Sequence, residues 1–302
     1  MSIELSFVIP AYNEEAVIVS TLESISHYCG IANISHEIII LNNNSTDKTD
    51  EIAKKYTDKV YTIKEGTIGH LRNIGAAKAE HTNIVFLDAD VSLTESWSKH
   101  IKDQLTHIDQ KIIAGSHCSA PLSKNLINKY WFNSFQADRR DTHIGSAHLI
   151  ISKSNFLNLG GFDETLVTGE DYEFCQRAQK NGFSLSSNQN LDVVHNDFPE
   201  SISAFIAREW WHGAGDRDNI LSSKIAIASL CFLALHLLLI TTPLTHFNPL
   251  VIVLILVLFL VSFSFYKFRK TNIKTVLINS VISYFYFIGR GLSLIYPRKK
   301  AN

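Results

Sequence analysis

The sequence predicts an α/β fold, a mainly parallel sheet with helices on both faces, followed by C-terminal transmembrane helices. Three observations carry the prediction. Short runs rich in β-branched residues alternate with helical stretches through the first 224 residues. All 29 acidic residues of the 302-residue chain lie before Ile225, whereas eight of its 28 Lys and Arg residues lie after it. Between Lys224 and Lys267, 42 consecutive residues carry no Asp, Glu, Lys or Arg. A water-exposed domain over 1–224 and a membrane domain over 225–302 are therefore expected.

The first strands are expected at Leu5–Ile9, Glu37–Leu41, Val60–Ile63, Ile84–Leu87 and Ile112–Ala114. Helices are expected over 14–28, 47–56, 70–80 and 95–107, and one more from Glu170 to about Lys180, where Gly182 supplies a stop signal. This βαβ rhythm implies parallel strands buried on both faces. The balance of charge, a formal net of −1 with 46% hydrophobic residues, excludes a disordered chain and a basic nucleic-acid binder.

Two spans fit the charge-free run, about 225–244 and 249–266, separated by a polar break at His246-Phe247-Asn248 between Pro243 and Pro249. Arg208, Arg217 and Lys224 precede the first span and the Lys267-to-Lys274 cluster follows the second, so both flanks and the water-exposed domain are expected in the cytoplasm, at the cytoplasmic membrane. The last apolar stretch, 275–296, is interrupted by Gly289-Arg290-Gly291. A third crossing would carry Arg298, Lys299 and Lys300 outside, so an interfacial or re-entrant helix anchored by Tyr284, Tyr286 and Tyr296 is expected. The N-terminus lacks a signal-peptide pattern, and Cys29, Cys118, Cys175 and Cys231 form no C-x-x-C pair, which fits reduced thiols.

In such sheets ligands gather beyond the carboxyl ends of the strands. Three polar segments fall there: Pro10-Ala11-Tyr12-Asn13-Glu14-Glu15, Asn42-Asn43-Asn44-Ser45-Thr46-Asp47 and Asp88-Ala89-Asp90. If the backbone stays extended, Asp88 and Asp90 point the same way at i and i+2, where they can hold a hard divalent ion that neutralises a diphosphate. The same pair can instead simply end a strand and cap a helix. Glu170 and Asp171 open a helix, where the dipole keeps a carboxylate ionised and able to accept a proton, or where it merely caps.

Phe7-Val8-Ile9-Pro10-Ala11-Tyr12-Asn13-Glu14-Glu15, Asn44-Ser45-Thr46-Asp47, Arg72-Asn73-Ile74-Gly75, Asp88-Ala89-Asp90, Gly160-Gly161-Phe162-Asp163 and Glu170-Asp171 occur in the order and spacing of the family-two glycosyltransferases. The chain resembles that family over about residues 4–215. The resemblance implies a GT-A nucleotide-diphospho-sugar transferase fold and an inverting transfer from a nucleotide-diphospho-sugar. It implies that Pro10, Tyr12, Glu14 and Arg72 line the nucleotide site, that Asp88 and Asp90 bind nucleotide and Mn²⁺ or Mg²⁺, and that Asp171 is the general base. Many relatives carry Asp where this chain has Asn42, whose amide oxygen can still accept the uracil N3–H; a UDP-sugar is the first donor to consider.

His195 stands where many relatives have a late His that completes the metal shell, although a backbone-satisfied His is the alternative. Gly145-Ser146-Ala147-His148 can shape the acceptor side, with His148 expected to be structural. Arg208-Glu209-Trp210-Trp211 loosely resembles the Arg-Trp element of processive members but has Phe205 in place of their Gln. Glu170, Arg208 and Trp210 are thus acceptor-side candidates, with membrane anchoring the alternative for the two tryptophans. The expected acceptor is a membrane lipid or lipid-linked glycan, polyprenyl phosphate or glycolipid, in cell-envelope synthesis. A catalytically silent sugar-nucleotide binder or scaffold is the second reading, suggested by Asn42. Neither G-x-G-x-x-G nor a phosphate-binding G-x-x-x-x-G-K-[ST] loop is present.

Overall fold

The computed structural model describes residues 3–106, 108, 110–121, 125–134, 143–218, 220, 223–245, 247–269 and 271–296, with the backbone alone over 215–218. The expectations that rested on Arg217, His246, Lys270 and Arg298–Lys300 lie outside these descriptions. The chain forms two compact units, one of residues 1–121 with 140–197, the other of 122–139 with 198–302.

In the first unit, β1 (Glu4–Ala11), α1 (Ile18–Ile31), β2 (Ser35–Asn42), α2 (Thr49–Ala53), β3 (Val60–Thr62), α3 (Ile68–Lys78) and β4 (Asn83–Leu87) alternate as expected. There follow β5 (Val91–Leu93), α4 (Glu95–Leu105), β6 (Ile112–Gly115), β7 (Cys118–Ser119), β8 (His148–Ser152), α5 (Lys153–Asn158), α6 (Glu170–Lys180), β9 (Ser184–Ser187) and β10 (Val193–His195). The large sheet has the order β3-β2-β1-β4-β8-β6-β9. Its pairs are parallel except where β8 runs antiparallel between β4 and β6. The run from Leu5 to Ala11 is buried on both faces, as a central parallel strand requires. One core, with Phe7, Ile9, Leu22 and Trp97, lies on one face; the other, with Val8, Leu41, Phe86, Phe162 and Phe174, lies on the opposite face.

A second sheet, β5-β10-β7, explains a departure from the extended D-x-D geometry. Asp88-Ala89-Asp90 is a tight turn closed by Val91 N–H donating to Asp88 O at 3.1 Å, because the chain must leave β4 and enter β5 in the other sheet. The strand periodicity does not apply across that turn.

α3 lies unusually close to the large sheet. A Cβ at Gly75 would strike Val8 and Leu41, so only glycine permits this approach. Its N-cap is Thr67, whose hydroxyl accepts the His70 N–H at 3.2 Å. α6 starts at Gly169 with φ +83, and the turn after it has Gly182 at φ +81, both in the left-handed region.

The second unit contains a π-helical turn at Ile127–Phe132, then α7 (Ile202–Asp218), α8 (Lys224–Ile240), α9 (Pro249–Lys267) and α10 (Ile273–Ile295). Trp131 is its aromatic hub, edge-on to Phe205 and Phe268 and tilted on Tyr286, with centroids 5.1–5.4 Å apart. That packing takes residues 122–139 out of the first unit.

α9 and α10 are long and apolar enough to cross a membrane, and α8 is a shorter apolar helix. Leu250, Leu254, Leu258 and Phe265 of α9 are exposed, as are Leu277 and Val281 of α10. Gly289-Arg290-Gly291 does not interrupt α10, which is one helix of 23 residues. The glycines serve packing instead: a Cβ at Gly289 would come within 2.7 Å of Ile206 O and 2.8 Å of Glu209 Cβ, and Arg290 pairs with buried Glu209 at 3.1 Å.

Candidate active site

The first two motif loops are stitched together at the carboxyl edge of β1 and β2. Asn13 N–H donates to Ser45 Oγ at 3.0 Å, Thr46 N–H to Asn13 Oδ1 at 2.8 Å, Glu14 N–H to Thr49 Oγ1 at 2.7 Å and Glu15 N–H to Asp47 Oδ2 at 3.0 Å. Asn13 takes φ +57, a conformation Asn tolerates better than most residues. The loop exposes Tyr12, at 41%, while Pro10 stays buried in β1. Asn42 is buried with both amide atoms occupied: Oδ1 accepts Ser45 N–H at 3.0 Å and Nδ2 donates to Asp50 Oδ1 at 3.2 Å. The oxygen thus accepts one bond inside the protein and keeps a second lone pair.

The acidic turn after β4 meets His195 because β10 pairs antiparallel with β5 in a register that sets His195 opposite Val91. His195 Nδ1 lies 3.2 Å from Asp90 Oδ2. One ligand atom each from Asp88, Asp90 and His195 can be chosen so that all lie within 4.8 Å of one another. Burial first, then the charges of Asp88, Glu14 and Asp197, push the Asp90 carboxyl up to about 8. Burial, Asp197, Asp88 and Asp47 likewise push Glu14 up to about 7. Crowded carboxylates of this kind, with an imidazole among them, suit a hard divalent cation, which would relieve the repulsion.

Arg72 is 1% exposed and spans the site from within. Its Nη2 donates to Asp88 Oδ1 at 2.6 Å and its Nη1 to Glu170 Oε1 at 2.7 Å. Glu170, buried by this contact, also accepts Ser146 Oγ–H at 3.0 Å. Its burial pushes the carboxyl upward while Arg72 pulls it back. Asp171 accepts Tyr172 N–H on Oδ1 at 2.7 Å and Ser146 N–H on Oδ2 at 3.2 Å, in the first turn of α6. The Asp-x-Asp turn and the acidic helix start, 82 positions apart at Asp88 and Glu170, are therefore held on one guanidinium.

Next along α3, Asn73 clamps the Gly160-Gly161-Phe162 turn, in which both glycines have positive φ. His148 is fully buried, accepting Trp97 Nε1–H at 3.0 Å on Nε2 and so donating from Nδ1 to Ser116 Oγ at 2.8 Å. Burial lowers it to about 3, as a structural imidazole requires. In the second unit, Arg208 Nη1 donates to Glu209 at 2.9 Å and its guanidinium stands 4.9 Å over Phe132, while Trp210 Nε1–H donates to Tyr296 O at 2.8 Å. Phe205 is wholly buried against Trp131, which accounts for an aromatic there. Asp197 and Asn73 were not singled out by sequence; the only signal for Asp197 was its place two residues after His195.

A mainly parallel α/β sheet with an Asp-x-Asp turn at its rim and an acidic helix start beside it is the arrangement of a GT-A fold. The profile of glycosyl transferase family 2 matches residues 6–160, and that of glycosyl transferase family group 2 matches 146–267. The chain belongs to glycosyl transferase family 2. It is 22% identical over 247 residues to glycosyltransferase AglE of Haloferax volcanii, covering 78% of this chain and 80% of that one. It is 25% identical over 153 residues to the pre-mycofactocin glycosyltransferase of Mycobacterium tuberculosis, covering 47% of this chain but only 32% of that relative's length. The mannosyltransferase PcManGT of Pyrobaculum calidifontis, solved with GDP-Man and Mn²⁺, superposes with a TM-score of 0.62 at 13% identity, covering 99% of this chain and 89% of that one. S. aureus TarS 1-349 with UDP-GlcNAc superposes at 0.52 and 14% identity, covering 97% and 91%. Both likenesses establish the fold.

Proposed function

We propose that the protein is a membrane-anchored, inverting glycosyltransferase that moves one sugar from a nucleotide-diphospho-sugar to a lipid or lipid-linked acceptor at the cytoplasmic membrane face. The observation that carries this reading is the Asp88–Arg72–Glu170 bridge, which sets the cation-suited turn and Asp171 in one frame. Asp88, Asp90 and His195 would hold the divalent ion, Mn²⁺ or Mg²⁺. When bound, that ion supplies positive charge against the diphosphate as it leaves. Tyr12, exposed beside this turn's neighbouring loop, offers a ring face to a nucleobase.

The chemistry balances on the chain's own groups. The acceptor oxygen attacks the anomeric carbon from the face opposite the phosphate, the bond from that carbon to the phosphate oxygen breaks, and its electron pair departs with the nucleoside diphosphate. The acceptor proton passes to Asp171. Two backbone N–H bonds orient that carboxylate and leave lone pairs for the incoming hydroxyl.

The lipid acceptor is supported by the exposed apolar faces of α9 and α10, and by relatives whose names include a dolichyl-phosphate β-glucosyltransferase and 4,4'-diaponeurosporenoate glycosyltransferase. The donor reading is supported by the UDP-GlcNAc and GDP-Man held by proteins of the same fold. A UDP-sugar is the first to test. The full chain in detergent is screened for melting-temperature shifts with UDP- and GDP-sugars and Mn²⁺, then assayed for sugar transfer into a membrane lipid extract. Transfer from one donor class is expected; binding with neither transfer nor metal-dependent donor hydrolysis would leave the silent-binder reading in its place.

A further inference from the structure

We propose that Arg72 is a positioning residue that holds the cation-binding Asp88 and the base Asp171 in one fixed geometry, acting through Glu170 and Ser146. The inference rests on the transferase reading above, because it assigns Asp88 and Asp171 to opposite ends of the same displacement.

The path is continuous, and its middle members Arg72, Glu170 and Ser146 are buried. It runs from Asp88 Oδ1 to Arg72 Nη2 at 2.6 Å and from Arg72 Nη1 to Glu170 Oε1 at 2.7 Å. From there it runs to Ser146 Oγ at 3.0 Å, and from Ser146 N–H to Asp171 Oδ2 at 3.2 Å. The segment carrying Ser146 is itself tied to the acidic turn, because Asp88 N–H donates to Ala147 O at 3.3 Å and β8 pairs Leu87 with His148. With side chains of Arg72 and Glu170 only 1% and 7% exposed, neither presents itself to a substrate.

The chemical type matters at each point. A guanidinium is planar, with its two Nη groups at a set angle, so it fixes the direction of both carboxylates at once; an ammonium is a single point charge and cannot. The arginine cannot drift, because the helix carrying it is pressed on the sheet at Gly75 and pinned to the Phe162 turn by Asn73. In a displacement whose leaving phosphate and departing proton lie on opposite sides of one carbon, an error of about 1 Å at either end costs on the order of 100-fold in rate. A rigid bridge between the two ends keeps both in register.

The test uses the full chain in detergent with UDP-GlcNAc and GDP-mannose as probes, Mn²⁺ present, and water as acceptor, so that release of UDP or GDP reports turnover. Arg72→Lys is expected to lower kcat at saturating donor about 30-fold and to weaken donor binding about threefold. Ser146→Ala, which keeps its N–H on Asp171, is expected to lower kcat about fivefold with donor affinity within about twofold. The double variant is expected to lose no more than Arg72→Lys alone, since both substitutions break one path. A double-variant loss equal to the product of the single losses overturns the proposal, as does wild-type kcat in Arg72→Lys. If Arg72→Lys does not fold, Ser146→Ala with wild-type kcat overturns it. Should the wild type release no nucleotide diphosphate from either probe, the transferase reading fails first; unchanged probe affinity in Arg72→Lys would then overturn the bridge separately.

Discussion

Asn73 and Phe162 exchange two hydrogen bonds, Phe162 N–H donating to Asn73 Oδ1 and Asn73 Nδ2–H donating to Phe162 O, each at 2.9 Å. Asn73 Nδ2 also reaches Glu164 Oε1 at 2.9 Å. Asn73→Asp would keep the acceptor, lose the donor and set a second carboxylate against Glu164. A loss of about 1–3 kcal/mol is expected, lowering the melting temperature by several degrees in thermal unfolding. An unchanged melting curve would dismiss the clamp.

His195→Ala and Asp90→Asn are each expected to weaken Mn²⁺ binding at least about tenfold, since even groups one shell further out cost that much. Titration calorimetry with Mn²⁺ in the presence of UDP measures it. Wild-type Mn²⁺ affinity in His195→Ala would remove the imidazole from the ligand set.

Asp171→Asn is expected to lower kcat about 10²- to 10⁴-fold, the usual worth of a general base, while donor affinity stays within about twofold. The amide keeps the oxygen that accepts from Ser146 but has no proton-accepting charge. Turnover above one tenth of wild type would transfer the role of base to another group.

Acid sensitivity should localise to Glu37. Burial alone would raise this carboxyl, but hydrogen bonds from Lys59, Ser6 and the Glu80 N–H overcome it and hold the group at about 2, below its ordinary 4.5. A group depressed in this way contributes stability that is complete above its unfolded pKa and is lost as pH falls through its folded one. On the order of 1–2 kcal/mol should therefore disappear between about pH 5 and pH 2. Melting temperatures of wild type and Glu37→Gln should converge over that window; curves that stay parallel would exclude Glu37 as the source.

Gly289→Ala should destabilise the second unit by about 1–3 kcal/mol, because the added methyl meets backbone of α7. Gly291→Ala should cost less, since its nearest neighbour is the end of the Leu233 side chain at 3.0 Å, which can turn aside. Melting in detergent ranks the two, and equal losses would count against helix contact as the reason for Gly289.

The parallel half of the sheet was legible because its strands are buried on both faces and read as continuous apolar runs, as Phe7-Val8-Ile9 does. β5, β7 and β10 were not anticipated as a sheet, because strands of two or three residues carry no usable periodicity. Site residues were legible as types at spacings, but not in their partners. Nothing in Asn42 reveals that its oxygen accepts from Ser45 N–H, and nothing in Arg72 reveals that its two Nη groups pair with carboxylates. The helix over 275–296 was legible from its apolar run, but not the close helix contact that Gly289 serves within it.

The boundary between the two compact units is crossed by the polypeptide at 121/122, 139/140 and 197/198. Cleavage after residue 224 would therefore cut through the second unit, leaving 122–139 and α7 without α8–α10. It would strip α8–α10 from Ile127, Trp131 and Phe132, leaving a greasy flap dangling from a truncated product.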